Sequence, residues 1–213
     1  MQRLFLFVIT LAAMALLGST ASAALIVSGN VPQNDEENIL FNEPGLIATG
    51  TTVQGLTNQT QAIVNFTGTE ELTTPAQGQA RIEATDGGFD NLTIALAPPG
   101  GVFHDLILNL NADADGFVTF FVDEGSGLVE YDPDFDLDAN GENFFTLTSD
   151  TGFTAVKFVT HDTTVDVELD DLRQIRISGV QPNTPIPEAS SIAAWGICAV
   201  FGAFVAYRRR RAC

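Results

Sequence analysis

Cysteine is nearly missing from this chain of 213 residues: there are 2, Cys198 within a C-terminal apolar run and Cys213 at the last position. The body between the two ends therefore has neither a disulfide framework nor a cysteine-based metal site. Tryptophan is limited to Trp195 near the C-terminus, and Tyr131 is the one tyrosine of the body. Broad Trp or Tyr platforms of the kind that bind glycans are lacking there. Positive charge is also scarce. Lys+Arg number 9 against 27 Asp+Glu, for a formal net charge of −18, and five of the basic residues, Arg3 and Arg208 to Arg211, lie in the end segments. With Glu188 also set aside, the body holds four basic and 26 acidic residues, about −22. Such a surface repels phosphate backbones and argues strongly against nucleic acid as a partner. No long helical period and no exact repeat is present, which argues against bundles, solenoids and propellers. Nucleophile elbows of the G-x-S-x-G type, phosphate-cradling glycine loops and dinucleotide fingerprints are absent as well.

What the chain does have begins at its ends. Met1 to Ala23 combines a basic start (Arg3), an apolar stretch from Leu4 to Leu17 and the small-residue ending Ala21-Ser22-Ala23. This pattern predicts a signal peptide over residues 1–23, cleaved after Ala23 because signal peptidase admits only small side chains there. At the other end, residues 192–207 form an uncharged apolar run with Trp195 and Tyr207 near its two ends, followed by Arg208, Arg209, Arg210 and Arg211. Extended back to Ala189, the run is just long enough for a transmembrane helix at ~1.5 Å per residue. The arginines act as a basic stop, keep the tail 208–213 cytoplasmic and so place the body outside.

Residues 181–191 link the body to this run and contain Pro185-Ile186-Pro187-Glu188-Ala189-Ser190-Ser191. The order of short motif, transmembrane run and arginine cluster resembles the PEP-CTERM sorting signal of Gram-negative surface proteins. Pro185, Pro187, Glu188 and Ala189 form the sorting motif in that comparison, with Ala189 standing where the usual Pro-Glu-Pro has its second proline. The resemblance covers about the last 27 residues. It implies an exosortase, an integral-membrane cysteine peptidase, as processing partner, a membrane-anchored stage before processing, and release or display at the cell surface afterwards.

The body, residues 24–180, has the periodicity of strands. Ala80, Ile82 and Ala84 alternate with Arg81, Glu83 and Thr85, Leu106, Leu108 and Leu110 with Asp105, Ile107 and Asn109, and Val165, Val167 and Leu169 with Asp166, Glu168 and Asp170. Further apolar runs span residues 62–66, 92–97, 117–122, 144–148, 153–160 and 172–180, separated by Gly, Pro, Asp and Asn clusters. Short strands divided by turn chemistry predict an all-β fold, an antiparallel β-sandwich of immunoglobulin-like or jelly-roll-like form. Phe144 to Thr160 reads as a hairpin turning at Ser149 to Gly152. The stretches from Gly101 to Phe120 and from Gly141 to Phe145 also resemble the β-rich bodies of PEP-CTERM proteins.

Candidate chemistry is sparse, and no catalytic residue emerges. His104 is in phase with Leu106 and Leu108, His161 follows a strand in a polar turn, and neither has a neighbouring His or Cys to complete a zinc set. Asp166, Glu168 and Asp170 read as the solvated face of a strand rather than a glycosidase pair. Calcium is the cofactor best matched to the acids. Asp132, Asp134, Asp136, Asp138 and Asn140, before Gly141, place oxygen-bearing side chains at alternate positions, which a curled loop could point at one hard cation. Asn111, Asp113 and Asp115 repeat the spacing, although neither stretch has an EF-hand glutamate at position twelve. The competing reading is a set of turn-forming, solubilising acids. Taken together, the expectation is a non-enzymatic exported surface or matrix protein that contacts the envelope or an extracellular polysaccharide. A glycan-binding surface module and, behind it, an extracellular glycoside hydrolase are the alternatives.

Overall fold

The computed structural model describes residues 24–75, 80–139 and 141–181. Among them lie twelve strands and no helix: β1 (Leu25–Ser28), β2 (Glu37–Leu40), β3 (Thr49–Thr57), β4 (Ile63–Thr73), β5 (Arg81–Ala84), β6 (Asn91–Leu96), β7 (Phe103–Ala112), β8 (Gly116–Asp123), β9 (Val129–Leu137), β10 (Asn143–Phe153), β11 (Ala155–His161) and β12 (Leu169–Ser178). Period-two alternation produces them. In β6 and β11 each buried residue, Leu92, Ile94, Leu96, Val156, Phe158 or Thr160, is followed or preceded by a half-buried one. A strand with one apolar face must bury it against another sheet.

The strands form one folded antiparallel sheet in the order β1-β10-β7-β12-β2-β3-β4-β6-β11-β8-β9. Its first part, β1 to β2, is called sheet A here, and its second part, β3 to β9, is sheet B. The fold line is β2, which pairs with β12 through Arg176 and Asn38 and with β3 through Ile39 and Thr57. Strand β5 spans the same gap by pairing with β12 and β4. The body is thus all-β and intermediate between a sandwich and a barrel, with β1 and β9 as its open edges. Near the fold line side chains lie so close over the β3 backbone that a Cβ on Gly55 would stand 2.2 Å from Ile39 Cγ2 and 3.0 Å from Phe41 Cε1.

Phenylalanine supplies much of the core between the two halves. Phe66, Phe89, Phe103, Phe120, Phe145, Phe153 and Phe158 are all fully buried. Phe120 is central, with ring centroids of Phe135, Phe145 and Phe158 at 5.8, 5.2 and 6.4 Å in edge-on arrangements. Burying each such ring contributes roughly 1.5–3 kcal/mol. On the outside of sheet A, the segment after β1 crosses over β10 and β12. Val31 N donates to Thr146 Oγ1, Thr146 Oγ1 donates to the Gly29 carbonyl, and Arg176 donates to Glu36 and Asn30.

Three local expectations are corrected. Phe144 to Thr160 is not a hairpin: β10 pairs with β1 and β7, whereas β11 pairs with β6 and β8 on the opposite sheet. The turn chemistry is real, since Ser149 Oγ accepts the Thr151 and Gly152 N–H groups and Gly152 has φ +87°. It bends the chain out of register at Thr148 and Phe153, and the chain crosses between layers instead of folding back. The alternating run from Val165 to Leu169 is not a strand before Leu169. Val165 is 50% exposed, Val167 is buried from irregular backbone, and Leu169 is buried as the first residue of β12. The acidic stretch read as a loop from Asp132 is strand through Leu137, because Phe135 and Leu137 pair with Val118 and Gly116 and reach the core.

Candidate functional site

The outer face of sheet B carries the richest chemistry. Alternation sends Val118, Phe120 and Val122 of β8 inward and leaves Phe117, Thr119 and Phe121 on the other side. On β11 the same rule leaves Lys157, Val159 and His161 outside. Registers then align these residues across strands: His161 opposite Phe117, Lys157 opposite Phe121, and Phe121 opposite Glu130.

At one end of this face three polar groups converge. Thr119 Oγ1 donates to Asp134 Oδ1 at 2.6 Å, and His161 Nε2 donates to Thr119 Oγ1 at 2.9 Å. The same Nε2 lies 3.4 Å from Asp134 Oδ2, while the His161 ring stacks on Phe117 at 5.9 Å. Both acidic and hydroxyl partners use one ring nitrogen. A catalytic relay needs the carboxylate on the nitrogen opposite the nucleophile, so this geometry orients the imidazole without activating Thr119. His161 closes β11 rather than standing in the turn beyond it. His104 is half-buried, with Nδ1 donating to the Ser149 carbonyl at 2.9 Å.

The expected calcium residues are spread out. Asp132, Asp134 and Asp136 lie on β9, where the register with β8 shifts between Tyr131 and Phe135 around the cis bond Asp132–Pro133, so they do not form one regular alternating row. Asp134 is engaged by Thr119, and Asp138 contributes backbone contacts to Asn143. Of the second stretch, Asp113 accepts Glu168 N, and Asp115 accepts Ala139 N. Among the described residues no group of three or more His, Cys, Asp or Glu side chains is arranged to hold a metal ion. Asn140 lies outside the described residues, as do Ala23, the sorting-motif residues Pro185, Pro187, Glu188 and Ala189, and Arg208 to Arg211. No helix among the described residues is long and apolar enough to cross a membrane.

Acidic crowding is strongest elsewhere, where β4 nears the turns before β6 and β12. Burial, then Asp86, Asp90 and Glu168, push the Glu70 carboxyl above its ordinary range. Burial also raises Glu168, helped by Asp166, Asp113, Asp86 and Asp90. Gly88 makes room for this packing, since a Cβ there would stand 2.5 Å from Glu168 Oε2. Sequence reasoning missed Lys157, Phe117 and Phe121 as surface chemistry. Period two would have put them outside their strands, but their alignment depends on β8, β11 and β6 being neighbours.

No family model matches the chain, and no curated protein matches it. Among solved structures it is similar to one described as "BiXyn10A CBM1 APO", with a TM-score of 0.26 and 13% identity over 75% of this chain and 99% of that one. A likeness of that degree carries no argument about function.

Proposed function

We propose that the chain is a non-enzymatic exported protein of the cell surface or extracellular matrix in a Gram-negative-type envelope. In this reading residues 1–23 are a cleaved signal peptide, residues 192–207 a transmembrane helix, and the PEP-CTERM-like tail the substrate of an exosortase. The observation that carries it is where the core begins. Ala24, the residue after the expected cleavage site, is buried and belongs to the core cluster, and β1 starts at Leu25. Cleavage after Ala23 would therefore free a chain whose first residue is already part of the sandwich. At the far end Gln181 pairs with Val102, so the body reaches the linker without spare chain.

The polar outer face of sheet B supports contact with a polymer over turnover, because its one His–Asp–Thr cluster is arranged to orient rather than activate. Intact-mass measurement of protein from an exosortase-containing host and from one lacking the enzyme tests the proposal. The expected products begin at Ala24 in both hosts and are shortened near Pro187 to Ser191 only in the first. A chain retaining Met1, or one tail length in both hosts, defeats it.

A further inference from the structure

Lys157 is the one lysine in the sequence, and it stands apart from the other cations of the body. Arg81, Arg173 and Arg176 are paired with Glu83, Asp171 and Glu36. Among the described residues no carboxylate lies within ion-pair distance of Lys157, and its ammonium sits over the Phe121 ring at 5.7 Å from the centroid. On a body with 26 carboxylates, a cation left without one is available to a partner's negative charge.

Its surroundings narrow the partner. One continuous row crosses the outer face of sheet B: Thr52 opposite Thr67, Thr67 opposite Thr93, Thr93 opposite Lys157, Lys157 opposite Phe121, and Phe121 opposite Glu130. Five inter-strand steps make it ~24 Å long. The adjacent row adds an amide pair, Gln54 Nε2 donating to Asn65 Oδ1 at 3.0 Å. Hydroxyls and amides both give and accept hydrogen bonds, and the half-buried Phe121 ring, one face of which carries the Lys157 ammonium, leaves part of its surface for apolar contact. Saccharides present matching features: hydroxyls on the rim and an apolar C–H face.

We propose that the row Thr67–Thr93–Lys157–Phe121 is a subsite for an acidic polysaccharide, with a uronate carboxylate on the Lys157 ammonium, a sugar ring against Phe121 and its hydroxyls on Thr93 and Thr67. The inference rests on the reading of the protein as a contact for extracellular polymer and names the class of polymer. The net negative charge of the body opposes a polyanion at long range, but screening limits that field to ~8 Å at physiological salt. Glu130 borders the far side of Phe121 and so leaves the Lys157 side as the end that accepts the carboxylate.

The test is calorimetric titration of the full chain, purified in detergent with a calcium chelator, at ionic strength near 0.15 M. Polygalacturonate, neutral dextran and poly-glutamate are compared. The expected result is binding of polygalacturonate alone, weakened at least about tenfold by Lys157→Gln and by Phe121→Leu and largely kept by Lys157→Arg. Equal binding of poly-glutamate would mean that charge alone is recognised, and equal binding of dextran that Lys157 plays no part; either overturns the proposal. So does the absence of polygalacturonate binding, or unchanged affinity in Lys157→Gln with its melting temperature intact. The measurement needs no signal cleavage or tail processing, so it can fail while the export reading stands, and the reverse.

Discussion

Tyr131 Oη accepts a hydrogen bond from Ile26 N at 3.3 Å, joining β9 to β1 across the open seam of the folded sheet. The two residues are 105 positions apart in sequence and sit on the two edge strands. Edge strands present unpaired backbone groups that invite association with other chains. A phenol from one edge that satisfies an amide on the other is a partial closure of the barrel.

Tyr131→Phe should therefore lower stability by ~0.5–1.5 kcal/mol, the usual net value of one hydrogen bond. The ring would keep its stacking on Phe135, at 6.2 Å between centroids. Urea unfolding measures the loss, and hydrogen exchange should show the Ile26 amide opening faster than those of β7. Unchanged exchange at Ile26 would mean that water replaces the phenol without cost.

Two carboxylates should give opposite pH signatures. Burial and the neighbouring acids hold the folded Glu168 carboxyl above its ordinary 4.5, so the folded protein binds that proton more tightly than the unfolded chain. Its contribution is fully present below the unfolded value and is lost as pH rises through the folded one. Burial also works against the Asp123 anion, but the N–H groups of Gly127 and Gly125, the Thr154 hydroxyl and Ser126 N outweigh it and depress the folded value below the ordinary 3.8. That contribution is present above the unfolded value and fades as pH falls through the folded one. At about pH 7, Glu168→Gln should raise the melting temperature and Asp123→Asn should lower it; the first effect should vanish by about pH 3.5. Melting curves across that range decide both signs.

Calcium should act on this body as a general screening ion. Because no group of three or more acidic side chains among the described residues is arranged to hold a metal ion, calcium and magnesium at matched ionic strength should shift the melting temperature equally. The double change Asp136→Asn with Asp138→Asn should leave that equality in place. A larger shift with calcium that disappears in the double variant would establish a site that includes residues beyond those described.

The sequence was most legible where a strand has one wet face. Ile82 and Ala84 of β5 follow period two and are buried as that pattern requires; Leu106, Leu108 and Leu110 of β7 are buried as well, but so are Ile107 and Asn109 between them. It failed at Val165, where alternation occurs by chance in irregular backbone anchored by Val167. The Phe144 to Thr160 error has a different origin. Turn residues specify a local bend, while the partner of each flanking strand is set by packing between layers, a non-local property. The same limit hid the outer-face row, since Lys157, Thr93 and Phe121 come from three strands whose adjacency no local pattern encodes. Strands β1 to β3 are short or glycine-interrupted and gave no clean alternation.

The fold line at β2 bears on how the protein is made. Its pairing with β12 joins Asn38 to Arg176, so the last strand of the body to emerge from a ribosome or a translocation pore must find one laid down near the start. β12 is also flanked by β7, which places it inside sheet A rather than on its rim. A chain emerging from its N-terminus can assemble β3, β4 and β6 early, but β2 has one neighbour until nearly the whole body is out. Such late, long-range closure is slow by its topology. The nascent body would then expose an incomplete edge for most of its synthesis, and a truncation that removed β12 would leave two separated sheets with no shared hinge.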